Sequence, residues 1–301
     1  MRKHLVLGSR GQIGAYLVDR LKSVGDEVVE WDIEISDEHD LVDRSLVQKN
    51  LEPVMADCDY VHFLAFDVGG STYLAKYQNT FDFVSHNMNI MENVFSLLAE
   101  TQKPFYFASS QMSNMFHSTY GRLKAVGESY TNSLKNGKNL RFWNIYGYEA
   151  DPEKTHVITD FVKMALRDGR ILIKTDGSET RNFLYAKDAA VLLEGVSKFH
   201  FKEDTYHDPN LLTEFNALAG AVPIVSSSRF ISILDIANKV KNLVGDNVEI
   251  YASPTSRDNV QGITNNPPYI LSLNKWLGLI QETPLHEGIN EIVEKIKNES
   301  K

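Results

Sequence analysis

The residues best suited to chemistry in this chain are Tyr120 and Lys124, in the stretch HSTYGRLKAVGE over 117–128. Residues four apart on a helix share one face. A phenol near an ammonium loses its proton more readily than a free tyrosine, whose pKa is about 10. Such a couple can take a proton from an alcohol. The same spacing also arises by chance in a chain with 13 tyrosines, so two unrelated residues on one helix face remains the competing reading.

A second candidate lies at the start. LVLGSRGQIGAYLVDRL sets Gly8, Gly11 and Gly14 between a short apolar run and a helical pattern. Glycines there let a turn close tightly and let backbone N–H groups approach a pyrophosphate. The G-x-x-G-x-x-G spacing is weak as a string and gains force from its strand–turn–helix context. Asp32 closes the next apolar run, EVVEW, where a carboxylate would bind the two hydroxyls of an adenosine ribose and repel a 2′-phosphate. The pattern thus favours NAD over NADP. Arg10, inside the turn, points the other way, and a tight turn without a ligand is the plainer alternative.

Elements able to position these residues are legible. HLVL (4–7), EVVEW (27–31), YVHFLA (60–65), PFYFAS (104–109) and LRFWN (140–144) read as strands buried on both faces. Helical patterns near 12–24, 81–99 and 120–135 separate them, which predicts βαβ units around a parallel sheet. Beyond about residue 145 the spacing loosens. VITDFVKMALRDG reads as a helix closed by its glycine, RILIKT as a strand, and DGSETRNF as a turn entering another strand. Ser232 opens the helix SILDIANKVKNLVG with Asp235 three residues on, and PLHEGINEIVEKIKN is amphipathic. The expected fold is α/β. A Rossmann-type doubly wound parallel sheet fills 1–145, rejoined by a strand and helix near 182–206. A smaller mixed α/β lobe for substrate fills 146–301, with a ligand cleft between the two.

Composition narrows the class. A formal charge of −9 argues against nucleic acid as a partner. The first apolar run is too short for a leader or a membrane span. Cys58 is the single cysteine, which excludes an internal disulfide and fits a cytoplasmic protein. The nine histidines are scattered without metal-ligand spacing.

Taken in order along nearly the whole chain, the motifs resemble those of the extended short-chain dehydrogenases, specifically the NAD-dependent sugar-nucleotide epimerase/dehydratase family. GSRGQIG resembles the family's cofactor turn, implying Gly8, Gly11, Gln12, Ile13 and Gly14. DLVD resembles the adenine-pocket segment, implying Asp40 and Leu41 beside Asp32. HFLAF resembles the strand end at the nicotinamide ribose, implying Leu64, Ala65 and Phe66. Asn87 matches an asparagine near the pyrophosphate. FASS resembles the strand carrying the catalytic serine: Ser110 is the best match and Ser109, the alternative, a cofactor neighbour. YGRLK supplies Tyr120 and Lys124, and the resemblance makes them the catalytic pair with Ser110. DVGG resembles a segment of enzymes acting on GDP-linked sugars, implying Val68, Gly69 and Gly70 at the substrate. LRFWNIYG implies Asn144. DGSETRNFLYAKDAA implies Arg181 and Phe183 around a nucleotide diphosphate, with a solvated turn arginine as the alternative for Arg181. The late segment FNALAGAVPIVSSSRFISILDIA matches as well. Arg257 resembles a second diphosphate arginine, although Val260 stands where an aspartate is expected.

The resemblance implies oxidation of a sugar C4 hydroxyl on a nucleotide-diphosphate sugar, with Tyr120 as base and Lys124 anchoring the nicotinamide ribose. QMSN (111–114) lacks the carboxylate of the 4,6-dehydratases, and Met112 replaces the cysteine of the 3,5-epimerases. A 4-epimerase is favoured. A net 4-dehydrogenase or 4-ketoreductase, on a GDP-sugar for instance, is the alternative, and a non-catalytic NAD-binding regulator is a third reading. The link from Ser110 to Tyr120 is short for the family, which implies an open pocket or a bulky substrate. His117 in that link reads as an added acid or base, or as a surface histidine. The helices near 81–99 and 120–135 resemble those of an intersubunit four-helix bundle, so a homodimer is expected.

Overall fold

A computed structural model describes residues 1–200, 224–227, 229–253 and 280–299. Its main sheet carries six parallel strands in the order β2-β1-β3-β4-β5-β9. These are β1 (Lys3–Leu7), β2 (Glu27–Trp31), β3 (Tyr60–Phe63), β4 (Phe105–Ser110), β5 (Gly137–Phe142) and β9 (Ile224–Val225). Successive side chains of a strand point to opposite faces, and the two cores follow that alternation. Leu5, Leu7, Val61, Phe63, Phe105 and Phe107 join the core that contains residues of the Phe81–Thr101 helix. Val6, Tyr60, Tyr106, Ala108 and Leu140 face the other core, with residues of the Gln12–Ser23 and Ala186–His200 helices. Each large apolar side chain buried this way contributes roughly 1.5–3 kcal/mol.

A three-stranded sheet is ordered β10 (Phe230–Ser232), β8 (Thr180–Tyr185), β6 (Asn144–Tyr146), and β7 (Arg170–Ile173) pairs in parallel with β11 (Glu249–Ala252). Helices Val157–Asp168, Ile233–Val244 and Leu285–Glu299 supply Phe161, Ile236 and Ile292 to the core around them. Ser232 caps its helix as expected, accepting the Asp235 N–H at 3.0 Å. Gly169 ends the Val157–Asp168 helix in a left-handed turn.

EVVEW, at the sheet's edge, buries only Trp31 rather than both faces, and other strands differ in extent. The third ends at Phe63, because the chain leaves the sheet at Leu64 to line the cavity described below. LRFWN is split: Phe142 ends β5, Trp143 donates its N–H to the Val225 carbonyl, and Asn144 begins β6 against β8. That switch of partner carries the chain from one sheet to the next. Afterwards Arg20 meets Glu194 at 3.3 Å, so the Ala186–His200 helix packs back on the first lobe. The protein's thiol, Cys58, is buried and free. Among the described residues no helix is long and apolar enough to cross a membrane.

Candidate active site

The carboxyl ends of β1 to β5 open on a cavity of about 670 Å³. At one end lies the glycine turn. Gly8 has φ +85°, and a Cβ on Gly14 would stand 2.0 Å from the Gly8 carbonyl oxygen, so the turn tolerates no side chain there. The end of β2 holds it: the Trp31 carbonyl accepts the Gly8 N–H at 2.9 Å, and the Asp32 carboxylate accepts the Arg10 N–H at 2.8 Å. The Arg10 guanidinium turns outward to Glu30, 3.2 Å away, which removes the sequence argument for a 2′-phosphate. Gln12 Nε2 is buried without a partner in the same turn. A buried donor left unmade is costly, and a pyrophosphate oxygen at this cradle would satisfy it. Beside Asp32, Trp31 and His39 stack with centroids 4.0 Å apart, and both line the cavity with Asp40 and Leu41. Asn93 fixes that segment by donating to the Leu41 carbonyl at 2.9 Å. The residues present therefore fit a dinucleotide.

At the other end Ser118 caps the Thr119–Ser133 helix, accepting the Gly121 N–H at 3.1 Å and donating to Gln78 at 3.0 Å. This seats Tyr120 in the first turn, in the cavity wall with Ser110. Burial pushes the Tyr120 phenol up to about 12, against a hydrogen bond from Ser110 that favours the phenolate. Lys124 does not line the cavity. Its ammonium donates to the Ala108 carbonyl at 2.6 Å and lies under the Phe66 ring, 3.6 Å from the centroid. Burial holds its pKa well below the ordinary lysine value, although Glu128 pulls it upward. The ammonium is bonded to a carbonyl and lies 5.8 Å from the Tyr120 ring centroid, and burial outweighs Ser110 in setting the phenol.

Of the other expected positions, Ile13, Leu64, Ala65, Phe66, Val68, Gly69, Gly70 and Asn144 border the cavity. Four more do not. Ser109 points into the protein and donates to Glu128 at 2.6 Å. Asn87 is tied to the Asp67 backbone, accepting its N–H at 2.8 Å and donating to its carbonyl at 3.1 Å. Arg181 is buried and donates to the Thr180 carbonyl at 2.8 Å. Phe183, opposite Asn144 in the β6–β8 register, packs on the core. Arg257 lies outside the described residues.

Sequence reading missed the far wall. Lys154 pairs with Asp67 at 3.3 Å, and His156 Nδ1 with Glu149 at 2.5 Å. Burial lowers the His156 pKa, but Glu149's charge and hydrogen bond outweigh it and hold the imidazole above its usual value. Lys154, His156 and Glu149 lie in the polar loop after β6 and Asp67 in the segment after β3, where no periodicity announces them.

Residues 4–204 match the model of the NAD dependent epimerase/dehydratase family. The chain belongs to this family. A UDP-glucose 4-epimerase of Thermotoga maritima, solved with UDP-glucose, has a similar fold. The two are 20% identical, with a TM-score of 0.73 over 99% of this chain and 100% of the other. A GDP-6-OMe-4-keto-L-xylo-heptose reductase from C. jejuni superposes with a TM-score of 0.76 at 19% identity, over 99% and 98% of the chains. By sequence, UDP-glucuronic acid decarboxylase 4 of Arabidopsis thaliana is 22% identical, over 97% of this chain and 68% of the relative. The protein is thus an enzyme of the NAD-dependent epimerase/dehydratase family, of the extended short-chain dehydrogenase type, and the proteins it resembles include an epimerase, a decarboxylase and a reductase.

Proposed function

We propose that the enzyme oxidises a sugar C4 hydroxyl and restores it with inverted configuration, as a nucleotide-sugar 4-epimerase. The observation that carries this reading is Tyr120 and Ser110 together in the wall of a cavity whose other end is a dinucleotide cradle. Gln12 and the glycine turn would hold the pyrophosphate, and Asp32 the adenosine ribose. NAD, when bound, supplies the acceptor for the hydrogen and electron pair leaving the sugar carbon. Tyr120 is placed to take the hydroxyl proton, with Ser110 hydrogen-bonding the same oxygen as charge develops.

Decarboxylation would share the first oxidation but needs a uronate carboxylate in the cavity. The arginine and lysine lining it among the described residues already have acidic partners, Arg10 with Glu30 and Lys154 with Asp67, and His156 is paired with Glu149. A neutral sugar suits this wall better. Net reduction of a 4-keto sugar uses the same pair in reverse and is the second reading. Purified enzyme should be incubated with UDP-glucose, GDP-mannose and UDP-glucuronic acid, following NADH absorbance and product mass. An isomer without net NADH supports the epimerase. NADH consumption with a 4-keto sugar would replace it by a reductase, and loss of carbon dioxide by a decarboxylase.

We further propose a homodimer through the Phe81–Thr101 and Thr119–Ser133 helices. They lie side by side, with Phe95 stacked on Tyr130 at 5.0 Å and Val126 left exposed. Sedimentation at equilibrium tests it, and a monomer at micromolar concentration would refute it.

A further inference from the structure

Lys124 is 3% exposed, yet the residue separating it from the cavity, Phe66, lines that cavity. Of the ammonium's three N–H groups, one goes to the Ala108 carbonyl at 2.6 Å. Ring faces meet it elsewhere, with the Phe66 centroid at 3.6 Å and that of Phe107 at 4.8 Å. The Tyr120 ring lies farther, at 5.8 Å, and Phe66 also meets Tyr120 edge to face at 5.8 Å between centroids. Phe66 thus meets both members of the pair, and its ring face covers the ammonium.

We infer that Phe66 is a positioning residue that acts through Lys124: its ring must swing off the ammonium before Lys124 can reach a nucleotide ribose in the cavity and favour the Tyr120 phenolate. The inference rests on NAD lying along the cavity with its adenosine half at Asp32.

The surroundings confine the change to the side chain. On one side of Phe66 the Leu64 N–H is bonded to the Leu7 carbonyl at 3.0 Å. On the other, Asp67 is held through its N–H and its carbonyl by the buried Asn87. The backbone is pinned at both ends, while the ring, half-buried, borders open volume into which it can rotate. Leaving its seat forfeits a cation–π contact, whose strength rises as the cation is desolvated. Cofactor affinity is reduced by that amount. The Lys124 nitrogen gains ribose oxygens in exchange for a ring face, and its charge then lies near the phenol it must influence.

Calorimetric titration of Phe66→Ala with NAD and separately with ADP tests this. ADP contains the adenosine half and never reaches Phe66. The expected result is NAD binding about 2- to 30-fold tighter than in the unaltered enzyme, the range a cation–π contact spans, with ADP affinity unchanged. NAD binding equal to or weaker than that of the unaltered enzyme, with ADP unchanged, overturns the inference. If the alanine variant loses ADP as well, Phe66→Leu, which keeps bulk without a π face, decides by the same criterion. A second readout is amine labelling followed by mass spectrometry without NAD. Lys124 should be protected in the unaltered enzyme and modified in Phe66→Ala, and equal protection in both overturns the inference. Failure of ADP to bind the unaltered enzyme would instead count against the cofactor reading, a separate outcome.

Discussion

Acid should unfold this protein earlier than its carboxylates alone require, because two histidines are sealed in the main sheet. His4 and His62 are both 0% exposed, and His4 Nδ1 lies 2.9 Å from His62 Nε2, so one proton serves the contact. Tyr60 and Tyr106 ring His62, at 5.0 and 5.2 Å between centroids. Burial, with a smaller repulsion from His4, keeps the His62 pKa well below the ordinary 6.5. His4 is also lowered by burial and by Arg2, with Asp26, 3.4 Å away, and Asp59 pulling the other way. The folded pKa values are depressed, so the unfolded chain binds more protons as pH falls below 6.5, and stability is lost in that window. For a histidine that stays neutral when folded, one pH unit below the unfolded value costs about 1.4 kcal/mol. His62 should contribute about that much near pH 5.5, and His4 at most a similar amount. The assay is urea unfolding at about pH 7.5 and about pH 5.5, with the denaturant slope checked for constancy. The unaltered protein should lose roughly 1.4–2.8 kcal/mol, and His62→Phe, which fits the aromatic cluster, should lose about 1.4 kcal/mol less. Equal losses in both proteins would refute the reasoning.

Tyr120→Phe should lower kcat by about 10²- to 10⁴-fold, the usual share of a proton-transferring group, while NAD affinity by calorimetry stays within about twofold of the original. Glu128 accepts Arg141 through Nε and Nη2, both at 2.7 Å, and Ser109 at 2.6 Å. Glu128→Ala leaves the part-buried guanidinium unpaired and should cost about 3–5 kcal/mol, a Tm drop on the order of 10 °C by calorimetric scan. Asp32→Asn removes the charge that would hold the adenosine ribose, and NAD affinity should fall by about tenfold or more. Titration with NADP in the same variant should show a smaller loss, or a gain, since the repulsion of a 2′-phosphate is relieved.

The main elements of the first lobe were legible because their signals are local. Continuous apolar runs such as HLVL and PFYFAS can be buried only from both faces, and glycines at 8, 11 and 14 permit one turn. The helix cap at Ser232 acts within three residues of itself. The branch at Trp143 was not legible, since one apolar run feeds two sheets and only the partner strands decide where it divides.

By itself the sequence determined the chemical inventory: a serine, a tyrosine and a lysine in order, a carboxylate at the end of β2, and no acidic residue in QMSN. Tertiary structure decided which of these share a space. It turned Ser110 to Tyr120 and Ser109 to Glu128, although the two serines are adjacent, because neighbouring residues of a strand face opposite ways. It also set Phe66 over Lys124 and paired Lys154 with Asp67, contacts made between segments that no spacing connects. Direction and burial are properties of the packed chain, and they set the charge state on which this chemistry depends.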